Sequence, residues 1–563
     1  RDLTVIVSLC GTTGDPQNRE AVATALAHAG ADVYLSNAAA ARAAARAARG
    51  ESAAAPTAKV RADSRGADAI ASAPAQSVRT SSGDAEIAGS SLLAGAPSVI
   101  TAGIDLLADA LRAQAVPVTV VAFRPPTVDA ADPDRSANAL AKVLADPRRV
   151  EANATAVQRM LDVRAHLVDV VPATEAFNMK PGEFYHAGPP ITWDRASGPL
   201  RGALIGAMLF ENLADTPEEA EAKLAAGEGI SFTPCHEHGT VGPMAGLVSP
   251  SMWMYKLQDE KTGAVAYCSL NEGLGKVLRY GAYSAEVIER LRWMSAILGP
   301  ALQKAVRATV AAGKPLDITA LVGQMMQMGD EGHNRNRAGS AMFLRDISPW
   351  LISAGLPAKD VADVFSFIGG NEHFFLNLGM PCGKLMGDAA ANVPGSSMVT
   401  ALCRNGTDFG VRVSGTGDQW FTGPADIPVG LFLAGYTQED ANPDIGDSAI
   451  AETAGFGGMS MAAAPAIVRF VGGTVADALA VTRRMYEITL AENPAFALPI
   501  LEFRGAPTGI DVTRVLRTGV LPQINTGMAG KVAGTGQVGA GLVNPPMECF
   551  TKAIVALADK VQA

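Results

Sequence analysis

Twice before residue 125, a β-branched run leads into a helical pattern and then into a second β-branched run. Leu3–Leu9, the pattern around Ala21, Leu26 and His28, and the run from Ala31 to Ser36 make the first; Ser98–Thr101, Ile104–Gln114 and Val116–Phe123 make the second. A strand–helix–strand order is the signature of parallel pairing, because parallel strands need a crossover. The spacing predicts a parallel α/β unit over 1–127, stopped by Arg124-Pro125-Pro126, where proline cannot donate to a ladder. Between the halves, residues 40–90 are Ala, Arg, Ser and Gly in no strict period. They read as helical to about Arg49 and as a loose linker over about 50–88.

The texture then changes. Residues 128–283 read as an α+β domain, with helical periodicity over 137–170 and Gly/Pro loops among short apolar runs over 180–280. Residues 284–366 read as a small helical subdomain, with Ile288, Leu291, Met294, Ile297 and Leu298 at helical spacing. Residues 367–563 read as a Gly-rich α+β domain. In it, Ser397–Arg404 and Asp408–Ser414 flank Asn405-Gly406, a dipeptide suited to a hairpin turn. The fold class is thus multidomain, α/β followed by α+β.

Composition narrows the partners. The 563 residues carry a net charge of −10, which excludes the basic footprint of a nucleic-acid binder. With 48% hydrophobic and 18% charged residues a large core is available. Apolar runs such as Gly202–Phe210 are about half the roughly 18–20 residues a membrane-spanning helix needs. Six scattered cysteines make no disulfide framework, and no secretory leader is read, so a reducing, cytoplasmic setting is expected.

The densest polar cluster is Met328–Arg337. On a helix, Asp330, His333, Asn334 and Arg337 would share one face, able to hold a small anion and move a proton. A merely solvated face fits less well, because two Asn and the glycines 329, 332 and 339 are weak helix formers. In Pro234-Cys235-His236-Glu237-His238, histidines two apart would point the same way on an extended segment. That spacing suits a metal edge, with His186, Glu331, His333 and His373 as further donors, or a substrate or base role; a polar loop is the plain alternative. Arg404 and the arm Phe409–Ser414 form a third candidate, with Phe409, Val411 and Val413 on one face and Gly410, Arg412 and Ser414 on the other. Arg412 there is a ligand contact or simply solvent-facing. Gly455–Gly458 opens a helix-like run and could favour an anion, and Asn525–Gly536 could wrap a phosphate, though it is no Walker A loop. Tight-turn glycine without a ligand is the commoner explanation for each. Gly11-x-x-Gly14 lacks the third glycine and the acidic partner of a dinucleotide site. Ser77-Val-Arg79-Thr80 lies in low-complexity sequence and reads as chance.

Longer strings carry a resemblance. Val5–Gln17 with Ser36-Asn37-Ala38 resembles the ligase domain of FdrA proteins, relatives of the succinyl-CoA synthetase α subunit. From about Ser98 to Phe550 the chain is similar to the AllG/YlbE-type family, a component of oxamate carbamoyltransferase. The strings include His186–Ile191, Pro234–His238, Asn271–Gly281, Met328–Arg337, Phe374–Asn377, Arg404–Gly410, Asp440–Ser448 and Gly505–Asp511. The resemblance implies carbamoyl transfer between carbamoyl phosphate and an amide such as oxamate, or the reverse phosphorolysis of oxalurate in allantoin breakdown. It implies a Rossmann- or flavodoxin-like N-terminal unit, a small anionic substrate, no cofactor, and FdrA-like or other partner subunits or a homo-oligomer. No CoA-ligase activity is expected, since the phosphohistidine segment of those relatives would precede Arg1. Gly530 stands where relatives often carry His, so that loop is given no catalytic role.

On this reading Arg335, Arg337, Arg404 and Arg412 bind the anion, and His333 and His236 transfer protons. Asn334 and Asn336 polarise, Glu331 and Asp330 orient the imidazole, and His238 and Lys276 complete the substrate contacts. No metal is expected. One alternative is a metal-dependent amidohydrolase built on His236, His238, His333 and Glu331; another is a non-catalytic subunit of an FdrA-like complex.

Overall fold

The computed structural model describes residues 5–9, 19–29, 31–34, 40, 41, 43–45, 99–101, 105–120, 126–129 and 131–561. They fall into two compact units, Arg1–Phe123 and Arg124–Ala563. In the first, Ile6–Ser8 pairs in parallel with Asp32–Tyr34 across the helix Arg19–His28, and Val99–Thr101 with Val118–Val120 across the helix Asp105–Arg112. Both strand–helix–strand units therefore form. The Cys10–Gln17 turn, the 50–88 linker, Ser77–Thr80 and Ser36-Asn37-Ala38 lie outside the described residues.

The second unit opens with the helices Pro133–Ala145 and Arg148–Asp162. The helical pattern expected over 137–170 ends early, because Ala165–Pro172 is a strand. That strand lies in a five-stranded sheet, ordered Leu316–Asp317, Ala165–Pro172, Trp253–Asp259, Val265–Ser269 and Thr240–Val241. Helices dominate from Ala285 through Leu376–Ala389, interrupted by the two-residue edge strand Leu316–Asp317. Among the described residues no helix is long and apolar enough to cross a membrane.

Beyond residue 389 the antiparallel pairs take over. Val399–Asn405 and Asp408–Val413 form the expected hairpin, with Arg404 opposite Phe409. Gly406 alone in the turn takes positive φ (+85°), while the Asn405 side chain accepts the N–H groups of Thr407 and Asp408 at 3.0 and 2.7 Å. Phe409, Val411 and Val413 are fully buried, as their alternation requires. They pack in one core with the C-terminal helix Met547–Asp559 and the helix Pro133–Ala145. A second, larger core runs from Ala152 to Ala529 and unites the helices with the five-stranded sheet. The strands Ile524–Ala529 and Gln537–Val543 pair antiparallel, so the Asn525 end of that glycine-rich segment is strand and 530–536 is the connection between strands.

Candidate functional site

The cluster Met328–Arg337 is a loop between two helices. The helix Ile318–Gln327 ends before it, and the next begins at Arg337 with Asn336 as its cap. Gly329 and Gly332 take φ of +94° and +88°, which a helix interior forbids. Asp330, His333, Asn334 and Arg337 therefore do not share a helix face. Nor do Asp330 and Glu331 orient the imidazole. Asp330 accepts the Gly339 N–H at 3.0 Å, and the Glu331 carboxyl accepts those of His333 and Arg335 at 3.0 and 2.7 Å. Both acids instead brace the loop backbone. Arg335 turns back to the Gly329 carbonyl at 2.9 Å, and the exposed Arg337 pairs with Glu372 at 2.9 Å.

The partner of His333 is Glu452, 119 positions away, whose carboxylate oxygens lie 2.8 and 3.0 Å from Nδ1. Glu452 also accepts the Gly458 and Asn525 N–H groups at 2.7 and 3.2 Å. A Cβ on Gly457 would sit 2.4 Å from the Glu452 carboxylate, so only glycine lets the loop close. The anion that the Gly455–Gly458 loop attracts is thus the protein's own carboxylate. Burial, and then the nearby charge of Glu452, push Glu331 up to about 8. Burial likewise raises Asp330.

Amides surround this pair. Asn334 donates to Asn525, and Asn336 donates to the His333 carbonyl at 2.8 Å. His373 stands close enough for burial, Arg279 and His333 to drive it down to about 3. The Asn336 Oδ1, Asn525 Nδ2 and His373 Nδ1 atoms are buried without a hydrogen-bond partner. Buried polar atoms are normally satisfied, so these three call for a polar partner, water or ligand, beyond the protein's own groups.

The second polar centre gathers around Asp447. The segment Cys235–His238 is a 3₁₀ turn, so the two histidines diverge instead of pointing the same way. His238 stacks on Tyr185 at 3.8 Å and bonds Thr233, whereas His236 is buried with its Nε2 3.6 Å from Asp447. Asp447 accepts the N–H groups of Gly188 and Gly242 at 2.8 and 3.1 Å, and burial pushes it up to about 7. Burial first, then Lys384 and Arg412, hold His236 well below the usual imidazole range. Arg412 lies over the Trp420 ring at 4.1 Å, and Trp420 meets His236 edge-on at 5.6 Å. Trp420 also lines a cavity of about 400 Å³ with Asp129, Arg135, Gln419 and Lys552.

Arg404 is not an open anion binder. It is wholly buried, donating to Asp444 at 2.6 and 2.9 Å, to the Gly446 carbonyl at 2.6 Å and to Thr526 at 3.0 Å. Lys276 is exposed beside Gly536. The four proposed metal donors His236, His238, His333 and Glu331 do not form one set. Among the described residues, the one group of three or more donors within 4.8 Å of one another is His236, Cys403 and Asp447.

Asn525 and Thr526 reach different partners from one strand. Asn525 faces His333's loop and Thr526 faces Arg404, as alternation along a strand requires. The structure thus pairs His333 with Glu452 and sets His236 beside Cys403 and Asp447, where the sequence suggested one pocket spanning 236, 333 and 404–412. Glu452, Asp447, Cys403 and Trp420 were not among the expected site residues, and Asn525 was considered only as part of a possible phosphate turn. Asp447 stood inside a string matched to the family, but Glu452 lies in an Ala-rich run with no local signal.

Comparison with known proteins adds an independent finding. Residues 230–448 match the family described as "Oxamate carbamoyltransferase subunit AllG", and residues 1–47 match the CoA-ligase family. Oxamate carbamoyltransferase subunit AllG of Escherichia coli (strain K12) is 45% identical over 414 residues, 73% of this chain and 98% of that protein. Protein YahG of the same organism, described as uncharacterized, is 43% identical over 473 residues, covering 82% and 97%. A crystal structure of a conserved protein of unknown function from Enterococcus faecalis V583 superposes with a TM-score of 0.72 at 45% identity, covering 74% of this chain and 99% of that one.

Proposed function

Given that the chain belongs to the family of oxamate carbamoyltransferase subunit AllG, we propose that it transfers a carbamoyl group between carbamoyl phosphate and the amide nitrogen of a compound such as oxamate. FdrA-like and other subunits assemble with it in this reading. The observation that carries it is the His333–Glu452 pair set among buried, unpartnered amide atoms.

An imidazole that donates from Nδ1 to a carboxylate presents its Nε2 lone pair as a base. It takes the proton of the attacking amide nitrogen as that nitrogen bonds to the carbamoyl carbon. The bond from that carbon to the phosphate oxygen breaks, and phosphate leaves. Glu452 stabilises the imidazolium that forms. Burial and the neighbouring Glu452 push Glu331 up to about 8, which favours its neutral form beside the pair. The unpartnered Asn336 and Asn525 atoms offer an acceptor and a donor of the kind that recognises a primary amide. Arg335 and Arg337 supply positive charge from the same loop.

The test is an assay of the purified chain with carbamoyl phosphate and oxamate, with and without the partner subunits. Oxamate-dependent phosphate release and oxalurate formation are expected. Absence of both products with and without the partner subunits overturns the proposal. Turnover that needs the chain but survives His333→Ala would make it a non-catalytic subunit.

A further inference from the structure

We propose that His236, Cys403 and Asp447 form a three-ligand site for a divalent transition-metal ion, best matched by zinc, with a fourth position left for water or another ligand. The three come from separate segments: the turn Cys235–His238, the strand Val399–Asn405 and the turn that begins at Asp447. One donor atom from each lies within 4.8 Å of the others, and all three residues are buried. Nitrogen, sulfur and carboxylate oxygen are the donors zinc takes, and three protein ligands with one open position is the form of a reactive zinc site.

A second observation points the same way. His236 Nε2 is buried without a hydrogen-bond partner, and its 3.6 Å separation from Asp447 is too long for one. A neutral imidazole with an unused lone pair is what a metal requires. The surroundings also fit. Asp447 is held by two backbone N–H groups, as metal-binding carboxylates commonly are. The Cys403 thiol has only a 3.8 Å contact to the Gly410 carbonyl. Two of the neighbouring cations are already neutralised, Lys384 by Asp388 and Arg404 by Asp444. The third, Arg412, rests on the face of Trp420. When the ion binds, the Cys403 S–H and the Asp447 carboxyl lose their protons to solvent, and the thiolate and carboxylate bond to the metal. This departs from the sequence-based expectation of no metal.

The test uses the full chain purified without chelator. Elemental analysis is expected to find about one zinc per chain. After chelation, titration with Co²⁺ is expected to give a stoichiometric thiolate-to-cobalt charge-transfer band in the near ultraviolet. Folded Cys403→Ser should lose that band and folded His236→Ala should lose the metal. Cys549→Ser, which removes a buried thiol outside the group, should keep both. A wild-type chain with neither bound zinc nor a cobalt band overturns the proposal, as does a band retained by Cys403→Ser with native circular dichroism. Neither readout involves carbamoyl transfer, so this site and the proposed activity can fail separately.

Discussion

The two polar centres use the same residue types to opposite ends. Around His333, the imidazole touches a carboxylate at 2.8 Å, and that carboxylate is anchored by two backbone N–H groups. Around His236, the imidazole stands 3.6 Å from its carboxylate, and its nitrogen is left without a partner. A paired imidazole can gain and lose a proton without leaving a bare buried charge. An isolated one holds its lone pair for a ligand. Residue type alone did not separate these roles; the distance to the nearest carboxylate did.

The largest effect should come from breaking the pair at the first centre. Replacing Glu452 with Gln, or His333 with Ala, is expected to lower turnover on the order of 10²–10⁴-fold, the usual worth of a positioned acid–base group. Steady-state rates of phosphate release measure it. A loss below tenfold would erase the distinction between the centres. Next comes the buried ion pair of Arg404 and Asp444. Arg404→Met leaves Asp444 buried and uncompensated, which should cost about 3–5 kcal/mol of stability. Urea unfolding reads that cost, and an unchanged midpoint with weakened phosphate binding would return Arg404 to the anion site.

A pH series sharpens the comparison further. Glu331 rises from 4.5 to about 8 on folding, so the folded state binds its proton more tightly than the unfolded one. Its contribution is fully present below about 4.5 and is lost as pH climbs through about 8. The melting temperature should therefore fall with rising pH across that window, and Glu331→Gln should flatten the slope; an equal slope in the variant would rule this group out. The smallest effect is expected at the exposed Arg337. Arg337→Met should move stability by less than about 1 kcal/mol, as surface ion pairs do. It should raise the KM for carbamoyl phosphate about tenfold, a loss of about 1.4 kcal/mol. An unchanged KM would remove Arg337 from the substrate contacts.

Much of the fold was legible in local pattern. The two parallel strand–helix–strand units followed from β-branched runs around helical ones, and the 399–413 hairpin from alternation about Asn405-Gly406. The loop at 328–337 was legible as a concentration of polar residues. Its shape was misread, because helical spacing was assumed across Gly329 and Gly332, whose positive φ turns the chain. Arg404 was misread for a related reason. A guanidinium looks available in a sequence until the carboxylate that consumes it, Asp444, is known. The 235–238 histidines look like a pair until the backbone between them coils.

Periodicity and residue chemistry are properties of neighbours along the chain. They were enough to specify the parallel units, the hairpin and the family kinship. Which carboxylate meets which imidazole is different. Glu452 reaches His333, and Asp447 and Cys403 close around His236, only after strands and helices pack, because electrostatic and coordinate bonds depend on distance in space and leave no mark on spacing in sequence.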